Sequence, residues 1–272
     1  MLSSASSTLW TSLVLLLSHA TPSQAACNRA DLLAAAAEFV TAVSTGNLAS
    51  LPLSTNATYQ ENNKPAKLAT AAAFSQPLKI DLSRSTADTV ACASYTLIIA
   101  ASASTPYVLA TQLRHAGADD TGTGTGTPGA ITLVDTIAAT KGSLFFDAAK
   151  TLGYVHNQSW AEIPEAERPA RDLLKHVGDA YLDMWTDAKA ADSIPWGTDC
   201  ERVEGSQYTR PCGAQLPRGG SQRNNGNRRY VIDEVVGSVD VLCSFDALGS
   251  LPDSHEIRVE DGKVKYVHTV TV

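Results

Sequence analysis

The chain has 272 residues, 44% of them hydrophobic, and a formal net charge of −7. This length is large for one hydrophobic core and suits two small ones. A nucleic-acid partner would require clustered Lys and Arg, so the acidic balance argues against one. No later stretch reaches the length of a membrane span.

The N-terminus predicts a secretory signal in residues 1–25. An apolar core at 13–17 is too short to cross a bilayer, and small residues at 23–25 suit a signal peptidase. We therefore expect a secreted or secretory-lumen protein. Asn56 and Asn157 each begin an Asn-x-Ser/Thr sequon, which predicts surface positions for glycosylation.

The five cysteines predict two disulfides and one thiol in an oxidising compartment. Cys200 and Cys212 bracket a short loop rich in turn residues, so we expect them to be joined. Cys27 could tie the mature N-terminus to Cys92. Cys243 lies in an apolar strand pattern, which predicts a buried, unreactive thiol.

The second half of the chain resembles the first. LPLSTN at 51–56 corresponds to IPWGTD at 194–199, and VDTI at 134–137 corresponds to VHTV at 267–270. Each apolar-Pro motif follows an amphipathic run that begins Asp-Leu-Leu. This pattern predicts an α+β fold of duplicated cone-like units, each a curved antiparallel sheet packed on helices. The units would span 27–150 and 165–272, with a linker at 151–164.

Apolar periodicity predicts helices near 32–43 and 173–185. Strand-like runs follow at 78–82, 89–99, 107–113 and 131–138 in the first half. In the second half they cover 230–245 and 255–272.

The last hairpin offers the clearest candidate chemistry. Asp261-Gly262 predicts a two-residue turn, and counting outward places His255 opposite His268 on an apolar face. Two facing imidazoles could share a proton or serve as a core pair, and both interpretations stay open. Glu256, Arg258 and Lys265 would then face solvent.

The other candidates are individually weaker. Tyr266 and His268 share one face, and Asp135 corresponds to His268 in the first half. Asp135 is either functional or a structural acid bonded to backbone or Arg114. The catalytic candidates are His255, His268, Tyr266 and Asp135, and the substrate-binding candidates are Trp196, Tyr59 and Tyr230.

No phosphate-binding loop, nucleophile elbow or recognised metal spacing occurs in the sequence, so neither a cofactor nor a metal is predicted. Two histidines with Asp135 or Asp253 could in principle form a metal triad, and this is the less favoured alternative. Small apolar molecules are the expected ligands, and a homodimer is left open.

Several motifs resemble a group of secreted fungal proteins across the mature chain: 59–62 (YQEN), 78–81 (LKID), 194–197 (IPWG), 230–234 (YVIDE) and 252–256 (PDSHE). Within that group the chain looks like the fungal hetero-Diels–Alderases that join a tropolone to a sesquiterpene such as humulene. It is similar, more distantly, to the nuclear-transport-factor-like cone fold.

The resemblance implies loss of water from a hydroxymethyl tropolone, which gives a quinone methide, and then cycloaddition. It assigns no catalytic residue. The alternatives are a non-catalytic secreted carrier or effector that encloses an apolar molecule, or a cone-fold cyclase or isomerase of other specificity.

Overall fold

The structure is a computed structural model that describes residues 27–117 and 128–272. The predicted signal, residues 1–25, lies outside the described residues. Three α-helices are present in the described ranges: α1 (Arg29–Thr45), α2 (Ala148–Val155) and α3 (Arg171–Asp183). None of the helices in the described part of the chain is long and apolar enough to span a membrane.

Helix α1 shows how local sequence sets its ends. The Asn28 side chain accepts hydrogen bonds from the backbone N–H groups of Ala30 and Asp31, at 2.8 and 3.3 Å. Gly46 ends the helix with a φ of 69°, a conformation that glycine adopts at little cost.

Twelve strands in the described ranges form two six-stranded sheets. The first sheet contains β1 (Leu53–Glu61), β2 (Lys64–Ala66), β3 (Leu82–Asp88), β4 (Ala93–Ala100), β5 (Tyr107–His115) and β6 (Ile131–Ala139). The second sheet contains β7 (Trp196–Glu204), β8 (Gln207–Thr209), β9 (Gly226–Asp233), β10 (Ser238–Phe245), β11 (Leu251–Glu260) and β12 (Lys263–Thr271).

The two sheets have the same strand order. The first runs β2-β1-β6-β5-β4-β3 and the second β8-β7-β12-β11-β10-β9. The α+β class is confirmed, with two curved sheets. The prediction of antiparallel sheets is wrong, because both sheets are mixed: β1 pairs in parallel with β6, and β7 with β12. Strands β3 to β6, and likewise β9 to β12, form an antiparallel meander. The last strand of each meander lies beside the first strand of its sheet and runs parallel to it.

The sequence patterns placed some strands and missed others. Residues 78–82 mostly precede β3 instead of forming a strand, and β7 was not predicted as a strand. The linker region 151–164 includes the end of α2.

The sheets pack face to face, so each is buried on two sides. Between them lies one apolar cluster that includes Leu97 and Ile137 from the first sheet and Leu242 and Val270 from the second. The opposite side of the second sheet packs on α3, through residues such as Val177. We call these the inter-sheet side and the helix side.

The predicted register of the last hairpin is right only beside its turn. Glu260 pairs with Lys263, and Val259 with Val264, but the register then shifts, so that His255 lies opposite Thr269. A bulge of one residue sends every later side chain of one strand to the other side of the sheet. The predicted pairing of His255 with His268 is therefore wrong. His268 lies opposite Glu256 instead.

The predicted solvent face is also wrong. Glu256 and Arg258 are 0% and 2% exposed, because they lie on the inter-sheet side. Glu256 meets Arg84 of the first sheet there, and Arg258 donates to the carbonyls of Ser159 and Ala161. Lys265 is half-buried.

The predicted disulfides and the predicted burial of Cys243 are confirmed, while its lack of reactivity stays a prediction. Cys27 is joined to Cys92 and Cys200 to Cys212, while Cys243 is a buried free thiol. Two disulfides are compatible with a secreted protein. Asn56 and Asn157 are both exposed, as glycosylation would require.

Reciprocal ion pairs join the two halves. Arg29, at the start of α1, binds Asp233 at the end of β9, and Arg171, at the start of α3, binds Asp88 at the end of β3. Each carboxylate also accepts a 2.9 Å hydrogen bond from the partner strand: Asp233 from the Ala87 N–H and Asp88 from the Ile232 N–H. The contacts of one half are thus repeated by the other.

Candidate functional site

A cavity of about 150 Å³ opens on the helix side of the second sheet. Its walls come from three regions: the strands β7, β11 and β12, the segment after α3, and the segments that follow β6 and β10. The lining residues are Leu144, Phe145, Trp185, Glu204, Gly205, Phe245, Leu248, His255, Thr269 and Thr271.

His255 is the only catalytic candidate that lines this cavity, and it is 1% exposed. Aromatic rings surround its imidazole, with centroids at 5.1 Å for Tyr181, 5.9 Å for Phe245 and 6.5 Å for Trp185. Neither ring nitrogen has a hydrogen-bond partner among the described residues. The sequence thus places an unpaired imidazole in an aromatic enclosure.

Asp253 lies two residues before His255 on the same side of β11. Its Oδ1 accepts a hydrogen bond from the Thr271 hydroxyl at 2.9 Å. Its Oδ2 lies 3.2 Å from Nε2 of His255, yet forms no aligned hydrogen bond within the described structure. Cys243 of β10 lies directly opposite Asp253 of β11. One potential ligand atom from each of Cys243, Asp253 and His255 lies within 4.8 Å of the other two.

Burial controls the charge of this cluster. It lowers the pKa of His255 to about 3, so that the imidazole is neutral at physiological pH. It raises the pKa of the Asp253 carboxyl well above its usual value, and it does the same to the Cys243 thiol. The cluster therefore holds an acid and a neutral base side by side.

Glu204 supplies a carboxylate at the cavity wall. Its Oε1 accepts a 3.0 Å hydrogen bond from the Tyr181 hydroxyl, which α3 positions. The Glu204 side chain is 32% exposed, so its carboxylate lies at the boundary between the cavity and solvent.

The first sheet has no such cluster at the corresponding positions. The row Cys243, Asp253, Thr271 of the second sheet corresponds in strand order and register to the row Ile98, Leu109, Ala138 of the first. In the next row, His255 corresponds to Thr111. Polar side chains in the second sheet thus replace mostly apolar ones.

His268 lies on the inter-sheet side, away from the cavity. Its Nδ1 is 3.1 Å from Oε2 of Glu256, and its Nε2 is 2.7 Å from Oε1 of Gln158. Arg84 reaches both His268 and Glu256 from the first sheet. Burial would raise the pKa of Glu256, but Arg84 and His268 hold it below its usual value. Each side chain of this cluster forms at least one hydrogen bond or ion pair with another, as in a structural network, while Nε of Arg84 and Oε1 of Glu256 have no partner among the described residues.

Tyr266 and Asp135 also belong to the inter-sheet side. The Tyr266 ring stacks on Trp160 with centroids 5.8 Å apart. The Asp135 carboxylate pairs with Arg229 at 2.6 Å, not with Arg114 as one interpretation of the sequence expected. The structure thus separates both residues from His255.

The three predicted substrate-binding residues lie apart from the cavity lining. Trp196 packs beside Tyr181 and donates from Nε1 to the Ala191 carbonyl at 2.9 Å. The Tyr230 hydroxyl donates to Asp179 of α3. Tyr59 is buried in the first half, where its hydroxyl donates to Glu61 at 2.6 Å.

Sequence reasoning missed Glu204, Trp185 and Phe245 as parts of a site, and gave Asp253 no definite role. The signal for Asp253 was its alternation with His255 in an apolar strand. The others come from separate segments, and only the fold brings them together.

Comparison with known proteins gives one match. The profile of a domain of unknown function (DUF8021) matches residues 167–271. No curated protein and no solved structure matches the chain. The matched segment contains α3 and all six strands of the second sheet, the part of the chain that holds His255 and Asp253.

Proposed function

We propose that the cavity of the second sheet is the reaction site of a secreted secondary-metabolite enzyme of the hetero-Diels–Alderase type. Its substrates would be a hydroxymethyl tropolone, which loses water to give a quinone methide, and a sesquiterpene that adds to it. The observation that carries the proposal is the pair His255 and Asp253, which lies in an aromatic enclosure where the first sheet has Thr111 and Leu109.

The proposed dehydration requires one proton donor and one acceptor. The leaving hydroxyl takes a proton and departs as water, and the tropolone hydroxyl loses a proton as the ring becomes a quinone methide. Asp253 and His255 offer a donor and an acceptor 3.2 Å apart. The cycloaddition needs no covalent help, since a near-attack geometry alone can supply several kcal/mol.

The size of the cavity limits what it can hold at once. About 150 Å³ lies below the ~300 Å³ at which drug-sized ligand pockets begin. This volume suits a single small ring. The sesquiterpene would have to approach through the rim, where Phe145 and Leu248 are 54% and 48% exposed.

We also propose that residues 27–150 and 165–272 are duplicated cone-like units. The identical strand order, the parallel pair in each sheet and the reciprocal Arg29 and Arg171 contacts support this interpretation. Under it, the first unit became a support and the second kept the cavity.

Secretion is part of the same proposal, because the predicted signal and the two disulfides agree. Sequencing the N-terminus of protein collected from the medium tests it. We expect cleavage near residue 25, and an uncleaved or retained chain would contradict secretion.

The reaction is tested by incubating purified mature protein with a hydroxymethyl tropolone and humulene and measuring the adduct by mass spectrometry. We expect the wild type to form it, and His255→Ala to lose most of the rate of dehydration. His268→Ala is the matched control, because that buried imidazole lies on the inter-sheet side. Equal loss in the two folded variants would contradict the assignment of the site.

A carrier is the second candidate, and the small volume of the cavity favours it. It would bind the tropolone without converting it. Calorimetric titration of the wild type with the tropolone, next to the product assay, separates the two functions: binding without product supports the carrier.

A further inference from the structure

We propose that Cys243, Asp253 and His255 form a binding site for a divalent transition-metal ion, with Zn²⁺ as the first candidate. The binding stands on geometry alone. Its consequence for activity rests on the proposed function, because two of the three ligands are the proposed proton-transfer pair.

The first argument is the set of unused donor atoms. Both ring nitrogens of His255 and Oδ2 of Asp253 lack a hydrogen-bond partner among the described residues, and the two side chains are 1% and 0% exposed. A buried polar atom left unpaired costs about 1–3 kcal/mol. Three such atoms at one place point to a missing partner.

The second argument is the spacing. Nε2 of His255 and Oδ2 of Asp253 are 3.2 Å apart without pointing at each other. Two ligands on a tetrahedral ion, each about 2.05 Å from the metal, are separated by about 3.3 Å. The Cys243 sulfur lies within 4.8 Å of one ring nitrogen of His255 and one carboxylate oxygen of Asp253, so a modest side-chain movement would complete three ligands.

The third argument is the chemistry of the donors. A thiolate, an imidazole and a carboxylate are the three side-chain ligands that Zn²⁺ uses, whereas Mg²⁺ and Ca²⁺ prefer oxygen alone. The corresponding positions of the first sheet are Ile98, Leu109 and Thr111. The fold itself therefore does not require a thiol and a carboxyl in this row.

Three protein ligands leave a tetrahedral ion one position for water or a substrate oxygen. Because ligands must be deprotonated to bind, the ion would displace the thiol proton of Cys243 and any proton on Asp253, and it would occupy the His255 base. Metal binding and proton transfer by these groups would then exclude each other, which would make Zn²⁺ an inhibitor of the proposed dehydration.

Binding is tested on the full secreted chain, stripped with a chelator and then reloaded. Native mass spectrometry and calorimetry with Zn²⁺ should give one ion per chain. Co²⁺ in place of Zn²⁺ should show a thiolate-to-metal charge-transfer band. His255→Ala and Cys243→Ser should weaken binding by at least the ~10–100-fold that loss of an outer-shell partner causes.

His268→Ala is the control and should bind the ion as the wild type does, since His268 lies on the inter-sheet side. Cys243→Ala serves in place of Cys243→Ser where the serine variant fails to fold. No stoichiometric ion in the wild type, or unchanged affinity in both ligand variants, would overturn the proposal.

The failures of the two proposals are distinguishable. An active wild type that binds no Zn²⁺ would overturn the metal site and leave the proposed reaction intact. A chain that binds Zn²⁺ through Cys243 and His255, but forms no adduct with or without the ion, would overturn the reaction and leave the metal site.

Discussion

The two sheets share one strand order but differ in what they bury on the helix side. The first buries apolar side chains, including Phe39, Phe74 and Leu109. The second holds Asp253 and His255 beneath a cavity. Because the strand order is the same in both sheets, the halves differ here only in the side chains at a few corresponding positions.

The inter-sheet side shows the opposite behaviour. Arg84 of β3 reaches Glu256 and His268 in the second sheet, and Arg229 of β9 reaches Asp135 in the first. These two arginines occupy corresponding positions in the two sheets. Each of these side chains has at least one polar partner there, whereas neither ring nitrogen of His255 has one among the described residues.

The largest expected effect concerns the two disulfides. The residues of Cys27–Cys92 are 65 apart in sequence and those of Cys200–Cys212 are 12 apart. Chain-entropy arithmetic predicts losses in the free energy of unfolding of about 4 and about 3 kcal/mol when each pair is changed to Ala. Denaturant unfolding measures both. A larger loss for Cys200–Cys212 would contradict this ranking of the halves.

The two reciprocal ion pairs, Arg29–Asp233 and Arg171–Asp88, are called clamps here, and removing either arginine should lower stability equally. Arg29→Ala and Arg171→Ala would each leave a buried carboxylate, Asp233 or Asp88, without its cation, so we expect each to lose about 3 kcal/mol of stability. The exposed Arg218 pairs with Asp192, and Arg218→Ala should cost under ~1 kcal/mol in the same unfolding experiment. Strongly unequal clamp effects would break the proposed twofold relation.

Asp240 predicts how stability depends on pH. Burial raises the pKa of its carboxyl from 3.8 to about 8, although Gln112 and Ser254 donate to it. Because the pKa is higher in the folded state, the contribution of Asp240 to stability is fully present at pH values below its unfolded-state pKa of 3.8. It is lost progressively as the pH rises from there to about 8. The loss is about 1.4 kcal/mol per pH unit.

Asp240→Asn keeps the shape of the side chain and removes the titration. We expect wild-type stability to fall by ~2–3 kcal/mol relative to this variant between pH 5 and 7. Urea unfolding at both pH values provides the measurement. Parallel slopes for the two proteins would show that Asp240 is ionised in the folded state.

The sequence predicted what depends on local signals. Helix periodicity, the Asp261-Gly262 turn and the loop from Cys200 to Cys212 each involve nearby residues, and all are present. The bulge after that turn has no clear local signature, yet it inverts the side on which His268 lies. Parallel pairing of β1 with β6 and burial of Glu256 depend on contacts remote in sequence.

Only part of the site could be predicted from local sequence. His255 was identified because a histidine stands there in an apolar strand pattern. Cys243 and Asp253 join it only through the register of β10 with β11, and Trp185 and Phe245 arrive from separate segments to enclose it.

The central claim is that the polar pair of the second sheet is there for function at a cost to stability. The direct test gives that sheet the residues of the first, with Asp253→Leu, His255→Thr and Thr271→Ala in one chain, since the Thr271 hydroxyl would otherwise lose its acceptor. We expect unfolding to require ~1–3 kcal/mol more free energy, because unpaired buried groups are removed, and formation of the adduct to cease. A triple variant that is less stable, or that still converts the tropolone, would contradict the account.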